Sequence, residues 1–300
     1  VIIDPIDLKL IRQLEMQGSV ALGEFVSKFH IDTEQVLLRI KNFEDTGFIT
    51  GYGLKIFIPA VLGGRWWRGC IFAESAASVE PEKTIPYLEE IINNQAFPMG
   101  VAPNLSLLFY TQDLKNSYQV AQKLPGIKYC EFYKAGEYNV NVPRILLKND
   151  WAAIASLYKG RLTYHRIHGI LNEPETEHDV RLAHLIWHRK NRSGVVSLYP
   201  NFNWSMINNF AHVHFAVTTK LRMKDLRKYL ATLGLAGNVT ARYKKRYLQL
   251  EFDVWGFSEY QNIVNALNLP RRIILEGCSI AYQNKIYDAW LKRFISEEKS

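Results

Sequence analysis

Seven of the eight histidines fall within fifty residues: His165, His168, His178, His184, His188, His212 and His214. Imidazole exchanges protons near neutral pH and ligates transition metals, so such a cluster is the first place to look for chemistry. His184 and His188 are four apart, which on a helix puts both on one face and within reach of one ion. The hydrolytic form of that spacing has Glu directly after the first His, and here the residue is Leu185. His212 and His214 alternate on a segment that reads as a strand. A structural or surface role fits each of these histidines better than catalysis, so the sequence predicts no catalytic residue and no metal site. It also holds no phosphate-cradling glycine loop and no nucleophile elbow, so no cofactor is expected.

The second group of candidates is basic. Residues 1–140 hold 13 Lys and Arg against 16 Asp and Glu, whereas residues 141–300 hold 24 against 13. The excess of +8 therefore sits in the C-terminal half, which would attract a polyanion. Two runs stand out there. One is His188, Arg189, Lys190 and Arg192, and the other is Arg242, Lys244, Lys245 and Arg246. The first suits a phosphate backbone as well as it suits the negative end of a helix dipole. The second reads as a solvated hairpin that protects an edge strand.

These residues need elements to position them. In Asp32–Tyr52, Val36, Leu37, Ile40 and Phe43 recur at helical spacing. Asp32 or Thr33 can cap the helix, Gly47 can stop it, and Phe48, Ile49 and Tyr52 open a strand. Ahead of it, Asp4-Pro5 starts a helix with Ile6, Leu10, Ile11 and Leu14 on one face. Residues 21–29 form a second, and His30-Ile31 turns into the third. Three helices and a wing in this order make a winged helix-turn-helix. After a hinge-like linker at Pro59–Gly64, the spacing predicts a strand at 66–73 and a helix at 81–93. Strands at 97–102 and 105–111, a helix at 113–124 and a strand at 127–133 follow. That is the βαββαβ order of a ferredoxin-like unit. About 145 residues downstream the order returns, from the strand at 213–219 to the strand at 273–280.

The match over the first fifty residues is specific. Asp4, Asp7, Ile11, Leu14, the Arg39-Ile40 pair, Phe43-Glu44, Gly47, Ile49 and Tyr52 resemble the DNA-binding head of the Lrp/AsnC family of transcriptional regulators. In that family a ferredoxin-like dimerising and effector-sensing domain, often called RAM, follows the head. Between the two ferredoxin-like stretches, residues 151–158, 164–171 and 178–191 read as three more helices, with Ser193–Tyr199 aligned to the first wing. The expected fold class is α+β, with two head-plus-sensor units in tandem. The expected boundaries are 1–60 winged helix, 65–140 RAM-type domain, 147–206 divergent second winged helix, 211–285 second RAM-type domain and 286–300 C-terminal helix or tail.

The resemblance implies a non-catalytic, cytoplasmic regulator whose partner is double-stranded DNA. It further implies an intramolecular pseudo-dimer, further homo-oligomers and an amino-acid-like small-molecule effector. Thr33 and Gln35, at the start of the third helix, would meet base edges. Lys28, Arg39 and Lys41 would hold phosphates, with bracing of the wing as the alternative for Arg39. In the second head, His188, Arg189, Lys190 and Arg192 would do the same. Gly100 and Asn104 mark the expected effector position. Both reading helices open acidic, at Asp32 and Glu34 and at Glu175, Glu177 and Asp179, where the family uses polar or basic residues. Two further readings answer this departure. One is a partner-binding sensor that has lost DNA contact. The other is a tetrapyrrole enzyme similar to sirohaem decarboxylases, which are built from two such units and use His and Arg side chains on tetrapyrrole carboxylates. Tyr164-His165-Arg166-Ile167-His168 superficially resembles their His/Tyr/Arg/His region. The three cysteines, Cys70, Cys130 and Cys278, form no CxxC pair and fit a reducing compartment. No apolar run approaches the roughly 20 residues needed to span a bilayer, and none of the opening residues reads as a leader.

Overall fold

A computed structural model describes residues 3–17, 22–73, 81–100, 105–124, 126–135, 146–158, 161–186, 196–232, 238–243, 247–268 and 273–297. The chain opens with α1 (Pro5–Gln17), α2 (Leu22–Phe29), α3 (Thr33–Asp45) and β1 (Ile49–Ile56). Local chemistry sets these boundaries. Asp4 Oδ1 accepts from the backbone N–H groups of Ile6 and Asp7, both at 2.8 Å, and Asp32 Oδ1 accepts from Gln35 N at 2.6 Å. Gly47 takes φ +77°, the left-handed conformation that ends a helix without a Cβ clash. Leu10, Ile11 and Leu14 of α1 and Val36, Ile40 and Phe43 of α3 are buried against one another and Phe25.

The expected linker is in fact a short helix, α4 (Ile58–Leu62). Pro59 starts it where a missing N–H costs nothing, and Ile58 and Val61 are buried. Next come β2 (Trp67–Ala73), α5 (Pro81–Thr84), β3 (Tyr87–Gly100), β4 (Leu105–Thr111), α6 (Leu114–Lys123) and β5 (Ile127–Lys134). The helix expected over 81–93 is wrong beyond Thr84. Glu89 and Glu90 look helical in sequence, but Tyr87, Leu88, Ile91 and Ile92 are claimed by β3, which pairs with strands on both sides. The two carboxylates are neutralised there by Arg68 and Lys55. Tertiary pairing has overridden local propensity.

A second helical group follows: α7 (Lys148–Leu157), α8 (Tyr164–Asn172) and α9 (Glu177–Leu185), then β6 (Val196–Phe202). Thr163 caps α8, and Thr176 with Asp179 forms a capping box on α9. The third helix expected over 178–191 stops at Leu185, because Ile186 turns extended and bridges to Val196 in the buried core. The remainder is β7 (Phe210–Thr219), α10 (Met223–Thr232), β8 (Asn238–Tyr243), β9 (Tyr247–Trp255), α11 (Gly256–Asn268), β10 (Ile273–Ile286) and α12 (Ala289–Glu297). No described helix is long and apolar enough to cross a membrane.

The architecture is α+β, with winged-helix and ferredoxin-like parts. Two sheets organise it. β1 and β6 form an antiparallel pair, so the strands that leave the two helical groups complete each other. The other eight strands form one antiparallel sheet in the order β5-β2-β4-β3-β10-β7-β9-β8. Each half has the ferredoxin-like order, and the halves join edge to edge through β3 and β10 rather than across their faces. Long edge strands have unpaired backbone groups, and this join satisfies them.

On one face of the sheet, α6, α10 and α11 cover Ile71, Leu107, Phe109, Phe215, Leu250 and Phe252. On the other face lie the helical groups and the β1–β6 ribbon, and Ala281 and Ile92 reach into the core of the first head. Gly53 of β1 lies so close to β10 that a Cβ there would meet Ile286 Cγ2 at 2.7 Å.

Candidate functional site

The head-facing side of the sheet carries buried polar residues where β7, β9 and β10 meet α1. His212 and His214 alternate on β7 and so share a face, and their cross-strand partners on β9 are Asp253 and Glu251. His212 Nδ1 donates to Asp253 Oδ1 at 3.0 Å, and Arg12 of α1 donates from Nε to Asp253 Oδ2 at 2.8 Å. Glu15, one helical turn after Arg12, places Oε1 3.4 Å from His212 Nε2. His214 Nε2 lies 3.7 Å from Glu251 Oε1. The short 3-10 turn Trp204–Met206 completes the wall, with the Trp204 ring stacked on His212 at 4.7 Å and 10°.

Both histidines are buried. Burial opposes a charge on His212, but the Glu15 carboxylate and the Asp253 hydrogen bond more than offset it and push its pKa up to about 10. Burial pushes Glu15 up to about 8, partly opposed by His212 and reinforced by Asp253 and Glu251. Burial also works against the Asp253 carboxylate, yet His212 and Arg12 hold it below the ordinary range. His214 is driven well below the usual imidazole value by burial and by the charge on His212. The cluster therefore sets two buried imidazoles apart, His212 favouring its charged form and His214 its neutral one.

Around it, buried polar atoms lack partners among the described residues: Gln13 Oε1 on α1, Ser279 Oγ on β10, Asn94 Oδ1 on β3 and Trp204 Nε1. Ser279 stands directly across from His214 in the strand register. Leaving such groups unsatisfied costs about 1–3 kcal/mol each unless something bonds them. A cluster of this kind is a poor way to stabilise a core and a good way to hold a ligand or move a proton.

The residues expected to touch DNA are placed differently. Lys28, Thr33, Gln35 and Lys41 are exposed on the first head. Arg39 Nη1 donates to Asp4 and to Asp7, both at 2.7 Å, and ties α3 to the start of α1. The brace it forms is to α1 rather than to the wing. Between α3 and α8 runs an open groove of about 910 Å³ that includes Gln35, Leu38, Lys41, Arg161 and His165. Asp32, Glu34, Glu44 and Asp45 also line it, so the reading face is acidic in the fold as in the sequence. His188, Arg189, Lys190 and Arg192 lie outside the described residues, as does Asn104. Gly100 ends β3 opposite Gly277.

Sequence reasoning passed over Arg12, Glu15, Glu251 and Asp253. The signal was present in outline: His212-Val-His214 and Glu251-Phe-Asp253 each place two polar groups on one side of a strand whose other side is apolar. What pattern alone does not give is the pairing of β7 with β9 and the approach of α1.

No protein-family model matches the chain, and no curated protein does. Among solved structures, it is similar to the sirohaem decarboxylase NirDL at 11% identity and a TM-score of 0.46, covering 99% of this chain and 98% of that one. The same enzyme in co-complex with an iron-uroporphyrin III analogue also gives 11% identity and a TM-score of 0.46, covering 98% of both chains. An AsnC family transcriptional regulator from Agrobacterium tumefaciens, 17% identical with a TM-score of 0.28, is matched over 48% of this chain and 97% of its own. At these identities the likeness concerns the fold. Against the expectation of a non-catalytic protein, the structures matched end to end are those of an enzyme, and the regulator is matched over 48% of this chain.

Proposed function

We propose that this chain is an enzyme acting on a carboxylate-bearing tetrapyrrole of the sirohaem type, with its reaction centre on the head-facing side of the eight-stranded sheet. The observation that carries this reading is the gathering of half-buried Glu15, Glu251 and Asp253 around the buried His212 and His214, contributed by a head helix and two sheet strands. Removing a carboxylate as carbon dioxide leaves the bonding electron pair on carbon, and that carbon must take up one proton. A water-poor cluster of imidazole and carboxyl groups is suited to that exchange.

The test is direct. The purified chain is titrated with sirohaem and with iron-uroporphyrin III while the Soret band is followed, and products are analysed by mass spectrometry for loss of carbon dioxide. A Soret shift with turnover that Glu15→Gln and His214→Gln abolish is the expected result. Absence of binding at micromolar tetrapyrrole, or turnover indifferent to both substitutions, refutes the proposal.

A second reading, contact with double-stranded DNA, is favoured by the exposure of Thr33 and Gln35 on the first turn of α3. Selective retention of DNA fragments with a steep salt dependence, weakened in discrimination by Gln35→Ala, supports it. Unselective retention that Gln35→Ala leaves unchanged rejects it.

A further inference from the structure

We propose that the cluster binds one divalent transition-metal ion through His212, His214 and Glu251, with Glu15 beside them and Asp253 behind His212. The inference shares its side chains with the reaction centre proposed above but does not depend on the substrate. The ligand atoms of His212, His214 and Glu251 all lie within 4.8 Å of one another, and so do those of Glu15, His212 and Asp253. Ligands bound to one tetrahedral ion at about 2.0–2.1 Å sit roughly 3.4 Å apart. The Glu15–His212 and His214–Glu251 separations, 3.4 and 3.7 Å, are already near that spacing.

The outer contacts match as well. A metal-bound imidazole characteristically gives its second nitrogen to a carboxylate that fixes the ring. Asp253 holds His212 Nδ1 in this way and is itself held by Arg12, which leaves Nε2 on the side of Glu15. Ser279, fully buried across from His214, has no hydrogen-bond partner for its Oγ among the described residues. It is placed to bond a water or ligand oxygen at the ion.

Two imidazoles select zinc, cobalt or ferrous iron over magnesium or calcium. Three protein ligands leave a position open, and an oxygen of a substrate carboxylate suits it.

The experiment uses the full chain stripped with a chelator and no tetrapyrrole. Cobalt(II) is titrated while its visible absorption is followed, and zinc is then added in competition. One cobalt per chain in a nitrogen- and oxygen-ligated spectrum, displaced by zinc, is the expected result. His214→Gln and Glu251→Gln should each abolish that spectrum. Asp253→Asn should keep the spectrum and weaken affinity about 10–100-fold, an effect that loss of folding would not produce. No saturable uptake by the wild-type chain overturns the proposal. Equal uptake by a His212→Gln/His214→Gln variant that melts like wild type also overturns it, since the metal would then sit on surface histidines. Because tetrapyrrole is absent, failure here is distinct from failure of the decarboxylation reading.

Discussion

Lys55→Met tests how the heads are fixed over the sheet. Lys55 on β1 donates from Nζ to Glu90 Oε2 on β3 at 2.7 Å, and Asn284 on β10 donates to Glu90 Oε1 at 3.0 Å. Asn284 Oδ1 in turn accepts from Phe202 N on β6 at 2.7 Å. One chain of hydrogen bonds thus runs from the ribbon to the sheet and back. The side chains of Lys55 and Glu90 are only 19% and 9% exposed. Burial opposes the Glu90 charge, but Lys55 and Asn284 more than compensate and hold its pKa below the usual carboxylate value. Removing one partner of a buried pair strands the other, at a cost of about 3–5 kcal/mol. Met keeps the length and the apolar stem of Lys55, so the loss is mainly electrostatic.

The assay is urea unfolding followed by far-UV circular dichroism at a series of pH values. Because the folded pKa of Glu90 is depressed, its stabilisation is complete above the unfolded value near 4.3 and is lost as pH falls through the folded one. Wild type should therefore lose stability in acid. Lys55→Met should be about 3–5 kcal/mol weaker at pH 7, and the gap should narrow as acid protonates Glu90. The double variant Lys55→Met/Glu90→Met should recover much of the loss, since an apolar replacement of a whole buried pair is often neutral. A loss under about 1 kcal/mol at pH 7 would fit a surface pair. That result, or a gap that does not change with pH, would refute the account of a buried tether.

Two further outcomes follow from the same contacts. Arg39→Ala should destabilise the chain by about 1.5–3 kcal/mol, the worth of charged hydrogen bonds to Asp4 and Asp7, whereas the exposed Lys41→Ala should change stability by less than about 0.5 kcal/mol; equal effects in chemical denaturation would return Arg39 to the surface. Gly53→Ala should cost about 1–3 kcal/mol because its methyl group would overlap Cβ and Cγ2 of Ile286; a neutral Gly53→Ala in thermal melts would mean that the ribbon does not lie on β10 as described.

Local signals were legible in the sequence. The cap at Asp32, the stop at Gly47 and the apolar faces of α1 and α3 follow from chemistry within one helical turn, and they stand where the residues put them. The βαββαβ order was readable from alternating strands, apart from the segment after Thr84. There, Glu89 and Glu90 favour a helix only until Arg68 and Lys55 are known to face them, and those partners come from other strands. The candidate site failed for the same reason. His212 and His214 were visible as an alternating pair and assigned a passive role, because Asp253 is 41 residues downstream and Glu15 nearly 200 upstream. Patterning reports which side of a strand a residue faces, and not what is packed against that side.

The contribution of α1 to that site bears on what a winged-helix head is for in this chain. A head that reads DNA needs its third helix presented outward and its surface favourable to phosphate. Here α3 opens onto an acidic groove, Arg39 is bonded to Asp4 and Asp7, and α1 is held to the sheet by Arg12 and Glu15. Each of these features is costly or useless to a mobile reading head. Each is useful if the head is a fixed wall, because a swing of α1 would remove Glu15 from His212 and leave Asp253 without Arg12. The sharing of one ribbon by β1 and β6 acts in the same direction, since neither helical group can move without breaking strand hydrogen bonds to the other. The first helix of the head thus supplies Arg12 and Glu15 to the surroundings of the buried histidines.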